Sequence, residues 1–246
     1  MQHYFLNNLK ITSFEDKKYI HQALFNEIEK KSKGLYISIT NSEAMFFGIK
    51  NKFHFEFINK SFISLIDGKG VQIAAKFNSL NLNRYHGPDF FYDIMKISES
   101  NNFSHYFLGN TNKVLNDLVL KAKSEFPKIN IVGKHSPPFR QLSENENNQI
   151  IEMINKVKPN FLWVSLGLPK QENWIQKNCS KLDVNFITGV GAAFDFYTNN
   201  VKRAPKIFQK FGFEWLYRTF FERRLIVRQI RGFRFLVFSI YKCITK

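Results

Sequence analysis

The chain has 246 residues, the length of one large domain or of one domain with a small appendage. Hydrophobic residues make up 44% and charged residues 23%, with 12 glycines and 7 prolines, which excludes disordered, collagen-like and disulfide-scaffold proteins. The 2 cysteines, Cys179 and Cys243, lack the paired spacing of a zinc site and favour a reducing compartment.

The N-terminus lacks the basic start and long apolar stretch of a secretory signal, so we expect a cytoplasmic protein. The longest late apolar run, 235–241, is far shorter than the roughly 20 residues that a membrane-spanning helix needs. The sequence therefore predicts no segment that crosses a bilayer.

Short β-rich runs alternate with helical patterns along the chain. The predicted strands are 35–39, 62–66, 105–108, 129–132, 161–166 and 184–187. The predicted helices are 44–50, 70–77, 90–99, 113–126, 144–157 and 170–181. This alternation predicts an α/β fold with a Rossmann-like, mostly parallel sheet and helices on both faces. Residues 1–201 are the predicted α/β domain.

Most of the positive charge lies in the last segment, 202–246, the predicted appendage. It contains 12 Lys and Arg against 2 acids, and so carries +10 of the net charge of +16. On a helix its arginines cluster opposite an apolar side, which is typical of a basic amphipathic helix at an anionic membrane surface. The predicted membrane contacts are Arg218, Arg224, Arg228 and Arg231. The alternative is that the apolar side packs on the protein's own core and the arginines are solvated.

Nucleic acid is the other candidate polyanion. The first 200 or so residues contain no zinc finger, no RNA-binding strand motif and no basic groove pattern, so this alternative depends on charge alone. We expect no nucleic-acid partner.

Polar and glycine residues follow the predicted strands, at the edge where parallel sheets bind ligands. Two turns, at Gly68 and Gly70 and at Gly189 and Gly191, nearly match the dinucleotide fingerprint, but each lacks its third glycine. These turns favour binding of a diphosphate over hydride transfer.

No P-loop, zinc-protease motif or D-x-D pattern is present, so Arg84, Lys170, Arg203 and backbone N–H groups are the predicted stabilisers of leaving-group charge. Asp67 follows an apolar strand directly and is a candidate general base. Its alternative role is to cap the helix that begins near Gly70.

Seven blocks of residues resemble the WecG/TagA/CpsF family of bacterial glycosyltransferases, in order from 40 to 218. The blocks are Thr40-Asn41, Asp67-Gly68-Lys69-Gly70-Val71, Arg84-Tyr85-His86-Gly87-Pro88-Asp89, Gly167-Leu168-Pro169-Lys170-Gln171-Glu172-Asn173-Trp174, Gly189-Val190-Gly191-Ala192-Ala193-Phe194-Asp195-Phe196, Arg203-Ala204-Pro205 and Glu214-Trp215-Leu216-Tyr217-Arg218.

The resemblance implies a metal-independent, inverting enzyme that transfers a sugar from a UDP donor to a polyprenyl-diphosphate-linked saccharide in cell-surface polysaccharide synthesis. The sugar that it favours is N-acetylmannosamine. It implies that residues 1–201 form a nucleotide-sugar-binding catalytic domain, with Asp67 as the base and no cofactor. It also implies peripheral attachment to the inner face of the plasma membrane, with the basic C-terminal segment closing the site there.

The predicted substrate-binding residues are Thr40, Asn41, Gly68, Gly70, Arg84, Asp89, Gln171, Glu172, Gly189, Gly191, Asp195 and Arg203. Asp195 is equally well a structural cap or a ligand for sugar hydroxyls. The six histidines form no cluster in the sequence and receive no role. A non-catalytic nucleotide-sugar-binding or nucleic-acid-binding protein is the alternative function, and oligomerisation is compatible with the sequence.

Overall fold

The structure, a computed structural model, describes residues 1–202, 204–205, 208, 217, 219 and 226–245. Within these residues the strands are β1 (Gln2–Leu6), β2 (Leu9–Ser13), β3 (Leu35–Thr40), β4 (Ile63–Ile66), β5 (Ser104–Gly109), β6 (Asn130–His135), β7 (Phe161–Ser165) and β8 (Phe186–Gly189). β1 and β2 form an antiparallel hairpin. The other six form one sheet in the order β4-β3-β8-β7-β5-β6, with parallel pairing of β3 with β8, β8 with β7, β7 with β5 and β5 with β6.

The described residues also contain the helices that connect these strands and two helices that follow the last of them. They are α1 (Lys17–Glu29), α2 (Ser42–Lys50), α3 (Lys52–Lys60), α4 (Lys69–Phe77), α5 (Gly87–Asn101), α6 (Asn112–Glu125), α7 (Glu144–Val157), α8 (Lys170–Asn178), α9 (Ala193–Tyr197) and α10 (Ile226–Ile244), with a 3-10 turn at Cys179–Lys181. Side-chain caps begin several of them. Ser143 and Glu146 form a reciprocal capping box at α7, which explains why its predicted start was correct.

The predicted α/β fold and its parallel sheet are confirmed. All six predicted strands and all six predicted helices are present, with ends that move by a few residues. Strands β5 and β7 are buried along their whole length. This is the burial expected of parallel strands that are covered on both faces.

Within the described residues, four elements were not predicted: the β1–β2 hairpin, α1, α3 and α9. The hairpin turn is made by Asn7 and Asn8, which have φ angles of 52° and 66°. Two successive residues in the left-handed region form the turn that suits two-residue hairpins, and asparagine tolerates that region well. The Asn-Asn pair between alternating apolar residues was therefore the missed signal.

The chain divides into two compact units. The first contains residues 1–17 and 38–86 together with the described residues of 202–246, and within it α10 packs on α2 and α4. The second contains residues 18–37 and 87–201. The predicted C-terminal helix is present as α10, and the predicted functional boundary at residue 202 stays a prediction.

The second unit is built around aromatic side chains of β5 and β7. Trp163 is fully buried, and its indole N–H donates to Nδ1 of His105 at 3.0 Å. Burial lowers the pKa of His105 to about 3, so this imidazole is neutral and serves packing. Phe91 packs edge-on against the Trp163 ring at a centroid distance of 5.0 Å.

Candidate active site

Asp67 lies at the carboxyl end of β4, directly before the glycines that lead into α4. Its backbone N–H donates a hydrogen bond to the carbonyl of Thr40 at the end of β3, with an N···O distance of 3.1 Å. The Asp67 side chain is 21% exposed, so solvent reaches its carboxylate in part. The structure therefore places the predicted catalytic carboxylate where two strands end side by side.

His86 contacts this carboxylate, although the sequence assigned no role to it. The Nδ1 atom of His86 lies 3.1 Å from Oδ1 of Asp67. The backbone before His86 is held to β4, because the N–H of Tyr85 donates to the carbonyl of Ile66 at 2.9 Å. The segment that precedes α5 thus runs past the end of β4 and carries the imidazole to Asp67.

Thr40 and Asn41, both predicted to handle substrate, hold the strand end and the next helix in place. Thr40 is fully buried, and its hydroxyl lies 2.7 Å from the hydroxyl of Ser64 on β4. The side-chain oxygen of Asn41 caps α2 by accepting from the N–H groups of Glu43 and Ala44, each at 3.0 Å. Their contacts with substrate stay predictions.

The two glycines after Asp67 serve the start of α4. Gly68 is its N-cap, with extended backbone and no side-chain cap. A Cβ atom on Gly70 would lie 2.4 Å from the hydroxyl oxygen of Ser42, so the missing side chain lets α4 approach the start of α2. Arg84 and Asp89 are both partly buried, and Asp89 lies in the first turn of α5. The predicted binding roles of all four residues stay predictions.

In the second unit, Gln171 supports the glycine loop that follows β8. Its side-chain oxygen accepts from the N–H of Gly191 at 3.1 Å, and its amide donates to Glu172 at 2.9 Å. A Cβ atom on Gly189 would lie 2.8 Å from the Gln171 amide nitrogen, so glycine is needed there for Gln171 to lie against the strand. The hydroxyl of Ser165 donates to the Gly191 carbonyl at 2.6 Å. The loop is held from both sides.

Asp195 accepts a hydrogen bond from the side chain of Asn110, with an N···O distance of 2.9 Å. Asn110 follows β5 with a φ of 60°, a left-handed conformation that asparagine tolerates. This contact supports a structural role for Asp195 between the end of β5 and the first turn of α9. A contact between Asp195 and sugar hydroxyls stays a prediction.

Glu43 joins α2 to the C-terminal helix α10. Its carboxylate is buried, with one oxygen 3.1 Å from Nε of Arg228 and the other 3.1 Å from Nη1 of Arg231. Arg231 also lies over the ring of Phe47, 5.0 Å from its centroid. A Cβ atom on Gly232 would lie 3.2 Å from Cβ of Ser42, so α10 passes close to the first turn of α2.

The remaining surface of α10 is largely apolar. Its exposed apolar side chains are Ile226, Val227, Ile230, Phe233, Val237, Phe238, Tyr241 and Ile244. Arg228 and Arg231, two of the predicted membrane contacts, are paired with Glu43, and their contact with a membrane stays a prediction. Among the helices of the described residues, none has the length and apolarity to span a bilayer.

Arg203, Arg218 and Arg224 lie outside the described residues. Lys170, a predicted stabiliser of leaving-group charge, is exposed at the start of α8. Within the part of the chain that the structure describes, no group of three or more His, Cys, Asp and Glu side chains is placed to hold a metal ion. Metal independence stays a prediction.

Two contacts at the first unit's strand ends had no clear signal in the sequence. His86 lies 19 positions from Asp67, and Glu43 lies 188 positions from Arg231. The block of residues 84–89 placed His86 beside predicted site residues, and this was the one available hint. Glu43 in the first turn of a helix is explained by the helix dipole alone, so its arginine partners could not be inferred.

Comparison with known proteins identifies relatives of the chain. The family described as the glycosyl transferase WecG/TagA/CpsF family matches residues 6–246. Relatives from Staphylococcus aureus strains COL and MRSA252 are named N-acetylglucosaminyldiphosphoundecaprenol N-acetyl-beta-D-mannosaminyltransferase. Each is 26% identical over 200 residues, which cover 81% of this chain and 77% of the relative.

We predict that Glu43→Gln loosens α10. The neutral amide cannot replace two charge-assisted hydrogen bonds, so the free energy of unfolding should fall by about 2 kcal/mol. Limited trypsin digestion should cut the variant faster after Arg228 and Arg231, as followed by peptide mass.

The matched control is Glu56→Gln, which removes a solvent-exposed pair with Lys60 within α3. Such surface pairs contribute little, so this control should resemble the wild type. Equal trypsin cleavage of Glu43→Gln and the wild type would contradict the clamping role of Glu43.

Proposed function

The chain belongs to the glycosyl transferase WecG/TagA/CpsF family and is a glycosyltransferase, and from this premise we propose that it adds N-acetylmannosamine to a lipid-linked N-acetylglucosamine. The names of the staphylococcal relatives state this sugar and this acceptor. The proposed donor is the UDP sugar, and the proposed acceptor is a saccharide on polyprenyl diphosphate. The reaction serves the synthesis of a cell-surface polysaccharide.

The observation that carries the proposal is the placement of Asp67. A glycosyl transfer to a hydroxyl needs a group that removes the hydroxyl proton, and a partly exposed carboxylate at a strand end supplies one. The backbone hydrogen bond to Thr40 fixes the position of Asp67, and His86 contacts its side chain. These contacts support a base with a defined orientation.

The proposed step is a single displacement. The acceptor oxygen forms a bond to the anomeric carbon of the donor sugar while the bond between that carbon and the UDP oxygen breaks. The hydroxyl proton goes to the Asp67 carboxylate, and UDP leaves with the bonding electron pair. Attack from the face opposite UDP inverts the anomeric configuration.

The departing diphosphate needs positive charge or N–H donors around it. We propose that arginine side chains, Arg84 and Arg203 among them, and backbone N–H groups supply these without a metal ion. The support is the missing D-x-D pattern in the sequence. Gly191, Gln171 and Glu172 are proposed to shape the loop that receives substrate in the second unit.

We also propose that α10 attaches the protein peripherally to the inner face of the plasma membrane. Its exposed face carries two phenylalanines, Phe233 and Phe238, at 66% and 41% exposure. Burying such side chains at the headgroup boundary is favourable, and Arg234 and Lys242 on the same helix add attraction to anionic lipid. With Arg228 and Arg231 held by Glu43, the apolar side chains supply the main membrane contact.

Replacing Asp67 with asparagine tests the proposed base. The amide keeps the shape but cannot accept the proton, so turnover should fall about 100- to 10,000-fold. The measurement is release of UDP from UDP-N-acetylmannosamine with a short-chain prenyl-diphosphate N-acetylglucosamine, with the product identified by mass.

Asp117→Asn on α6 is the matched control, because it removes a partly exposed carboxylate that has no proposed role. It should turn over like the wild type. Wild-type turnover by Asp67→Asn would contradict the proposed base, and binding of UDP sugar without any UDP release by the wild-type protein would favour a non-catalytic binding protein.

The membrane proposal predicts the effect of changing Phe233 and Phe238 to serine together. Full burial of one such side chain is worth about 1.5–3 kcal/mol, so losing two should weaken binding to phosphatidylglycerol vesicles by at least about tenfold. Vesicle co-sedimentation measures this. Leu120→Ser on α6, a residue 69% exposed, is the control and should leave sedimentation unchanged. Wild-type sedimentation of the double variant would refute the contact.

A further inference from the structure

We propose that His86 is a positioning residue for the transfer reaction: it holds the Asp67 carboxylate in the orientation in which it accepts the proton of the acceptor hydroxyl. The inference rests on the proposed role of Asp67 as base. It adds a residue that orients this base and that lies beside it at the end of the strand.

The chemistry of the two groups decides which of them carries the hydrogen in this contact. An ionised carboxylate only accepts hydrogen bonds, so the hydrogen between the two side chains is carried by Nδ1 of His86. The Nδ1···Oδ1 distance of 3.1 Å is within the normal range for such a bond. Both side chains are mostly shielded, at 17% and 21% exposure, so water competes only in part for this contact.

The loop that carries His86 is fixed at several points. The buried ring of Tyr85 lies under the ammonium group of Lys17, which is 4.3 Å from the ring centroid. The amide of Gln72 donates to the carbonyl of Leu82 at 2.8 Å. The amide of Asn83 donates to the carbonyl of Phe14, also at 2.8 Å. The imidazole is therefore presented from a braced backbone, as a positioning group requires.

The other ring nitrogen of His86 does not compete for the orientation of the ring. Nε2 of His86 is buried, and among the described residues it has no hydrogen-bond partner. Within the part of the chain that the structure describes, the contact of Nδ1 with Asp67 is therefore the hydrogen bond that orients the imidazole.

The consequence for the reaction is a fixed carboxylate. With Oδ1 held by His86, rotation of the carboxylate group is restricted while it accepts the proton of the attacking hydroxyl. His86 keeps its own hydrogen throughout, so the atom and electron balance of the transfer is unchanged. Misplacing a reacting group by about 1 Å can cost about 100-fold in rate, which sets the scale of the effect.

The test compares His86→Leu with His86→Asn. Leucine removes the donor, whereas the asparagine amide nitrogen occupies nearly the same position as Nδ1 and can donate to Oδ1. We expect kcat to fall about 10- to 100-fold in His86→Leu with little change in KM, because orientation affects the transition state more than substrate binding. His86→Asn should restore most of kcat.

The assay uses UDP-N-acetylmannosamine and the short-chain prenyl-diphosphate acceptor, with His3→Leu in the β1–β2 hairpin as the control. Folding is checked for each variant by its unfolding curve. An equal fall in kcat in His86→Leu and His86→Asn would overturn the proposal. An unchanged kcat in both variants would also overturn it. A rise in KM of the same size in His86→Leu and His86→Asn, with kcat unchanged, would also overturn the proposal.

The double variant Asp67→Asn with His86→Leu separates this inference from the proposed function. If His86 acts through Asp67, the double variant is no slower than Asp67→Asn alone, whereas independent effects would multiply and overturn the inference. Full activity of Asp67→Asn would instead defeat the proposed base. If Asp67→Asn is inactive and His86→Leu is fully active, the inference about His86 is wrong, whereas the proposed role of Asp67 as the base stands.

A measurement on the wild-type protein does not depend on how the variants fold. Nitrogen-15 NMR of labelled histidine, assigned with His86→Asn, reports which ring nitrogen carries hydrogen. We expect hydrogen on Nδ1, because that atom donates to Asp67. Hydrogen on Nε2 alone would overturn the proposal, because Nδ1 could then not donate to the carboxylate.

Discussion

The hydrogen bond from the Asp67 N–H to the Thr40 carbonyl is the constraint on which the candidate site depends. It joins the ends of β3 and β4, so that a carboxylate and the capped start of α2 lie side by side. The buried hydroxyls of Thr40 and Ser64 pair 2.7 Å apart just inside the same strand ends. The backbone of a residue that accepts a proton must be anchored in this way, because the reactivity of its side chain depends on orientation as well as on charge.

The start of α2 has a second task in the same unit. Asn41 caps the helix, Ser42 lies close to both Gly70 and Gly232, and Glu43 binds the two arginines of α10. These contacts place the C-terminal helix beside the residues that follow β3. They also leave the apolar side chains of α10 exposed, while Arg228 and Arg231 are paired with the buried carboxylate of Glu43. The pattern of the helix alone does not show the pairing of Arg228 and Arg231 with Glu43, and the contact of these arginines with a membrane stays a prediction.

The alternation of apolar runs and helical periods predicted most of the fold, because parallel strands that are buried on both faces must be apolar and short, as Phe161–Ser165 is. The hairpin was missed because its turn uses Asn7 and Asn8 in place of the more familiar Asn-Gly. At the candidate site, Asp67 was predicted by its position after a strand and by the family resemblance. His86 and Glu43 were not, because a contact across many positions is decided by how loops and helices pack, which no local pattern in the chain encodes.

The central claim is that Asp67 acts as a base in one displacement at the sugar carbon, and the configuration of the product tests it most directly. The measurement is the one-bond carbon–proton coupling at the new anomeric centre, taken on product made from an α-configured UDP-N-acetylmannosamine donor. A β-linked product is the result that the account predicts, because attack opposite UDP inverts the centre. An α-linked product would contradict it, since retention requires two displacements or attack from the face that UDP leaves, and neither uses Asp67 as a base opposite the leaving group.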